Sequence, residues 1–100
     1  MIHIPNEVYK ALADELLEVI GEKSYVPWLR IPVKSSDGSV LYELGISACI
    51  YRHTVSYPEG DVEQIYDVVP IWWELRTFVG DDRDEAINDA EFGRLKEYLV

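Results

Sequence analysis

Apolar and polar residues along this chain follow two periods in turn, first about 3.6 and then 2. From Asn6 to about Gly21, Val8, Leu12, Leu16, Val19 and Ile20 form one stripe, widened by Tyr9, Ala13 and Leu17. Glu7, Asp14, Glu15, Glu18 and Glu22 take the other side. This spacing predicts an amphipathic helix, with Asn6 as N-cap and Gly21 as the left-handed residue that ends it. Three strand-like runs follow: Tyr25–Lys34, Val40 to about Tyr57, and a third ending near Val79. Pro27 and Pro32 cannot donate to a ladder, which sends the first strand to an edge. Asp37-Gly38 reads as a tight type I′ hairpin turn, and Pro58-Glu59-Gly60 as the second turn. Asp81-Asp82-Arg83-Asp84-Glu85 reads as a solvated acidic loop. Phe92, Leu95 and Leu99 predict a last helix over about Ala90 to Leu99, capped by Asp89.

The register follows from the same pattern. An Asp37-Gly38 loop pairs Val33 with Tyr42, Ile31 with Leu44 and Leu29 with Ile46, all apolar and all on one face. A Pro58-Glu59-Gly60 loop, continued without a break, sets Glu74 against Leu44. One extra residue on the third strand, a bulge near Pro70 or Asp67, restores Ile46 with Trp73, Leu44 with Leu75 and Tyr42 with Thr77, and pairs Ala48 with Ile71 and Ile50 with Val69. The adjacent tryptophans Trp72 and Trp73 then separate, because successive strand side chains point to opposite faces. Trp73 enters the core and Trp72 faces outward.

The outward face is expected to carry four rows: Trp28, Ser47, Trp72; Arg30, Gly45, Glu74; Pro32, Glu43, Arg76; and Lys34, Leu41, Phe78. Glu43 faces Arg76 as an opposite-charge pair, and Arg30 reaches Glu74 across Gly45. Trp28 and Trp72 stand roughly 10 Å apart, two strand spacings, as the walls of a shallow slot floored by Ser47. Both helices are expected on the Ile46/Trp73 face. The fold expected is therefore one two-layer α+β domain over residues 1–100, a three-stranded antiparallel meander of order 1-2-3 between N-terminal and C-terminal helices, α-β-β-β-α.

Composition narrows the function classes. With 48% hydrophobic residues and 100 in all, the chain carries enough apolar surface for one core. Nineteen acids against nine bases give a net charge of −10, which disfavours direct nucleic-acid binding and anionic membrane surfaces. A lone cysteine, Cys49, fits a reducing compartment, and no run approaches the length of a membrane span. The start of the chain lacks a signal-peptide pattern, so a soluble cytoplasmic location is expected.

No set of chemistry-bearing residues is complete. Cys49, Tyr51 and His53 share a face, but Cys49 and His53 lie roughly 13 Å apart along a strand, too far for a nucleophile and its base. Asp81, Asp82, Asp84, Glu85 and Asp89 lack the glycine and glutamate positions of a calcium loop. His3 and His53 have no metal-ligand spacing. The order α-β-β-β-α is also that of double-stranded-RNA-binding domains. Those carry basic residues at the start of the last helix, where this chain has Asp84-Glu85-Ala86-Ile87-Asn88-Asp89-Ala90-Glu91. No catalytic residue, cofactor or metal is expected. The reading is a non-enzymatic protein–protein interaction module, homodimeric or with another protein partner, that uses Trp28, Arg30, Ser47, Trp72, Glu74, Arg76 and Phe78. Two alternatives stand beside it: an acidic mimic of nucleic acid that blocks a basic protein, and a small enzyme or ligand-binding domain.

Overall fold

The computed structural model describes residues 1–100. Helix α1 spans Asn6–Ile20. Strands β1 (Tyr25–Lys34), β2 (Val40–Tyr57), β3 (Gly60–Val79) and β4 (Asp84–Ala86) form one antiparallel sheet in the order β1-β2-β3-β4. A short helix, α2, covers Phe92–Lys96. The class is α+β, with four strands where the sequence pattern predicts three. The added strand comes from the acidic segment: Asp84, Glu85 and Ala86 pair with Val79, Phe78 and Thr77. No hydrophobic alternation marks so short an edge strand. It is held by its ladder, by the Thr77 hydroxyl donating to the Ala86 carbonyl at 2.6 Å, and by the Asn88 amide donating to the Leu75 carbonyl at 2.8 Å.

Both helices lie on one side of the sheet. Val8, Tyr9, Leu12, Ala13, Leu16 and Ile20 of α1 are buried together with Ile31, Tyr42, Leu44, Ile46, Ala48, Ile50, Val68 and Leu75, and with Leu95 and Leu99. Trp73 packs at the margin of this core and meets Phe92 of α2, ring centroids 5.4 Å apart. The chain ends are tied down by polar contacts. Asp89 accepts from the Ile4 N–H at 2.8 Å and pairs with His3 at 2.6 Å. Tyr9, buried in the core, accepts the Glu91 N–H at 3.1 Å, and the Arg94 guanidinium lies 4.5 Å from its ring centroid. These contacts correct the expected caps. Pro5 precedes α1 and Asn6 is its first residue, while Asp89 clamps the N-terminal segment and Glu91 precedes α2.

The first hairpin has the expected pairs, Val33 with Tyr42, Ile31 with Leu44 and Leu29 with Ile46. Its turn differs from type I′. Gly38 alone has positive φ there, and its N–H donates to the Ser35 carbonyl at 2.9 Å. Asp37 accepts from Ser35 and Ser39 instead, so its side chain stabilises a wider turn. The second hairpin turns on two residues, pairing Tyr57 with Gly60, and needs two bulges rather than one. Tyr66 and Ile71 are the extra residues. Together they bring Ile46 opposite Trp73 and Leu44 opposite Leu75, as the apolar pattern demands. Between the bulges, Ala48 faces Pro70 and Ile50 faces Val68, one residue from the expected partners.

β1 reaches only Tyr25, opposite Cys49. Beyond that point β2 and β3 continue alone as a two-stranded arm, and the molecule is 53 Å long against 25 and 19 Å across. A two-stranded ribbon is marginal in water by itself. Here its base is fastened twice. Arg52 donates to the carbonyls of Gly21 and Lys23 at 2.8 and 2.5 Å, and Lys96 of α2 pairs with Asp67.

Candidate functional site: the open sheet face

Residues of odd number on β2 point away from the helices, since Tyr42, Leu44, Ile46, Ala48 and Ile50 point toward them. Nothing in the chain covers that odd face. The predicted rows are present: Ser47 beside Trp72, Gly45 between Arg30 and Glu74, Glu43 between Pro32 and Arg76, and Leu41 between Lys34 and Phe78. The slot is not. The Trp28 and Trp72 rings meet directly, centroids 4.4 Å apart and planes tilted by 40°. The cause lies in β1 and in two small residues. The ladder is irregular between Val26 and Leu29, so Trp28 is not held over a single partner. Gly45 and Ser47 leave room for an indole to lie flat, and a Cβ at Gly45 would stand 2.6 Å from Trp72 Cη2. Ser47 is buried beneath the pair, within 3.4 Å of the Tyr25 hydroxyl, while Trp28 is 70% exposed.

The charges also pair differently. Arg30 donates to Glu43 at 3.0 Å and lies 3.5 Å from Glu74. Arg76 stands opposite Glu43 in register but turns to Glu85 on β4, at 2.5 and 3.2 Å. Its guanidinium holds the Glu85 carboxyl below the usual range, chiefly through that hydrogen bond. It also lies 5.0 Å from the centre of the Phe78 ring. The expected Glu43–Arg76 contact is lost because the unanticipated fourth strand offers Arg76 a nearer acid. All seven predicted residues, Trp28, Arg30, Ser47, Trp72, Glu74, Arg76 and Phe78, thus share this face. They form an exposed aromatic ridge flanked by ion pairs.

The face extends further than the sequence reading placed it. Continuing along β2, Cys49, Tyr51, His53, Val55 and Tyr57 keep the parity of Gly45 and Ser47. Cys49 is flanked by Tyr25 and Val69, and Val55 by Val62. Tyr66, the bulged residue, stacks on His53 with centroids 5.4 Å apart and lies 6.2 Å from Tyr51. Tyr25, Tyr51, Tyr57, Val62, Tyr66 and Val69 are each between 42% and 52% exposed. The opposite face of the arm is polar, with Thr54, Ser56, Asp61 and Glu63. The ribbon is therefore amphipathic, and its apolar side is continuous with the Trp28–Trp72 ridge. The signal was present as an odd-numbered alternation, but with β1 ended and no core above the arm, alternation alone does not tell an exposed apolar face from a covered one.

His53 is engaged with Tyr66, and Cys49 sits half-buried in the sheet with Tyr25 and Val69 as its cross-strand neighbours. Two shallow concavities of about 200 Å³ are present, one at the arm tip, where Tyr57 and Val62 of the open face meet Glu59 and Asp61, and one away from that face, between α1 and the first turn. No helix is long and apolar enough to cross a membrane. Comparison with protein-family models, curated proteins and solved structures found no match.

Proposed function

We propose that the chain is a non-enzymatic protein-interaction module whose docking surface is the open face, from Phe78 and Arg76 across the Trp28–Trp72 ridge to the aromatic side of the arm. One observation carries the reading: aromatic and aliphatic side chains form a stripe along the uncovered face, in which His53 and Gln64 are the polar members on the arm, while Thr54, Ser56, Asp61 and Glu63 lie on its other side. Scattered exposed apolar residues are ordinary, but a contiguous stripe rimmed by charge marks an interaction surface. Trp28, at 70% exposure, is the natural anchor, because tryptophan is among the residues that dominate binding energy. Arg30, Glu43, Glu74, Arg76 and Glu85 form the charged flank that fixes orientation more than affinity. The lone cysteine supports placing this module in a reducing compartment such as the cytoplasm.

The acidic-mimic alternative calls for carboxylates gathered in one array. Here they are divided among the outer side of α1 (Glu7, Asp14, Glu15, Glu18), the arm end (Glu59, Asp61, Glu63) and the β3–β4 turn (Asp81, Asp82), which favours the docking reading. The test is affinity capture from native cell extract with three baits: the wild-type chain, Trp28→Ser on the open face, and Val19→Ser on α1. A protein retained by the wild type and Val19→Ser, and lost from Trp28→Ser, is the expected result. Identical proteins on all three baits would reject the reading.

A further inference from the structure

We propose that two copies of this chain join through the free β2 edge of their arms, Arg52 to Ser56, pairing antiparallel about a two-fold axis at Thr54. The backbone fixes which groups are free. The Ile50 N–H donates toward β1, to the Ser24 carbonyl at 2.8 Å, in the last rung before β1 ends. Strand alternation then turns the N–H and C=O groups of Arg52, Thr54 and Ser56 to the same side, where no strand follows. Those of Tyr51, His53, Val55 and Tyr57 face β3. Such a row is a template for another strand.

The other edges are poorer templates. Pro27 and Pro32 interrupt β1. β4 is three residues long, and the segment after it is bridged by Ile2. The β3 side of the arm carries Asp61, Glu63 and Asp67, so pairing two copies there sets acid against acid. The β2 side carries one charge, Arg52, over the whole stretch from Tyr51 to Tyr57.

Charge and register together select a second copy as the occupant. Centring on Thr54 sets Arg52 opposite Ser56 of the other copy and Thr54 opposite Thr54, for about six backbone hydrogen bonds. On the open face it sets Tyr51 opposite Tyr57 and His53 opposite Val55, with no like-charge pair. The arms overlap along their length, and the Ile50 residues of the two copies, where each body begins, lie eight residues or roughly 27 Å apart along the strand, further than the Debye length of about 8 Å. The two-fold axis is normal to the sheet, so both Trp28–Trp72 ridges end on one side of a continuous surface.

This inference rests on the strand edge and stands apart from the docking role of the face. Its test is sedimentation of the purified chain from micromolar to millimolar concentration, with Thr54→Glu, Thr54→Lys, their mixture, Thr54→Pro and Trp28→Ser. The Thr54 N–H faces away from β3, so Thr54→Pro is compatible with a folded arm, and circular dichroism checks this. The wild type is expected to dimerise reversibly. Thr54→Glu and Thr54→Lys alone should each weaken the dimer on the order of fivefold, because like charges meet at the axis about 5.5 Å apart. Their equimolar mixture should restore association, and Trp28→Ser should leave it unchanged. In the wild type, the Thr54 and Ser56 amides should gain protection from hydrogen exchange as concentration rises, a readout that holds even if Thr54→Pro does not fold. A wild type monomeric at millimolar concentration, a Thr54→Glu and Thr54→Lys mixture no tighter than either alone, or a dimer lost in Trp28→Ser would each overturn the proposal.

Discussion

Gly45→Ala places a methyl group where the Trp72 indole now rests. The added Cβ would lie 2.6 Å from Cη2 and 3.0 Å from Cζ3, with Glu74 Cγ at an ordinary 3.4 Å. Gly45 has no positive φ, so alanine fits the backbone and the indole must give way. Moving it breaks the contact with Trp28, an aromatic pair worth about 0.5–1.5 kcal/mol beyond its buried area. Against this, replacing glycine inside a strand recovers about 0.5–1 kcal/mol of chain entropy. The two effects oppose each other, and the net change in unfolding free energy should stay within about 1 kcal/mol of zero. The indole pair should nevertheless be lost. Far-ultraviolet circular dichroism reads this through the exciton coupling of two indoles in contact, and urea denaturation reads the stability. Unchanged coupling together with a gain near 1 kcal/mol would refute the placement of Trp72 over Gly45.

Three further outcomes follow from the structure. The Asp37 carboxyl, drawn down to about 2 from 3.8 chiefly by the Ser39 hydroxyl and then by the Ser39 N–H and the Ser35 hydroxyl, should titrate by NMR near the lower value. Because its folded value is depressed, its contribution to the first turn is present above pH 3.8 and is lost as pH falls through about 2. A midpoint at the ordinary value would contradict the turn geometry. Tyr9→Phe leaves the Glu91 N–H without its acceptor beside a residue that is 1% exposed, and should cost about 1–2 kcal/mol in denaturant unfolding. A neutral result would mean that the N–H finds water. Arg52→Ala removes the tie to the Gly21 and Lys23 carbonyls and should speed hydrogen exchange in the arm while leaving α1 protected. Equal rates in the arm would show that this tie does not hold it.

The helix–sheet division, the edge position of β1 and the inward and outward assignments of Trp73 and Trp72 were legible because burial imposes a period, and the period survives in the residues. Register was legible from Tyr42 to Ile46, where Leu44 must meet Leu75 and a charge at that position would be visible at once; at the buried Ala48 and Ile50 it was off by one residue, because the apolar pattern sets the total offset and not where each bulge sits. What failed lacked such a constraint. Strand β4 is Asp84-Glu85-Ala86, too short and too polar to announce itself, and its presence redirected Arg76 from Glu43 to Glu85. The number of bulges was hidden because the arm has no core face to penalise a slip, so Tyr66 left no mark in the pattern. The Trp28–Trp72 contact depends on the irregular backbone at Pro27 and Trp28, which spacing arguments on a regular pleat do not reach. The candidate face was therefore legible as a set of residues, but not as a shape.

Whether Trp28 anchors a partner on the open face is decided by titration calorimetry with the protein retained by the wild-type bait and lost from Trp28→Ser. Trp28→Ser, still folded by circular dichroism, should bind at least about 30-fold more weakly than the wild type, the loss expected on truncating an aromatic anchor worth about 2 kcal/mol. Equal affinities for the two chains would contradict it.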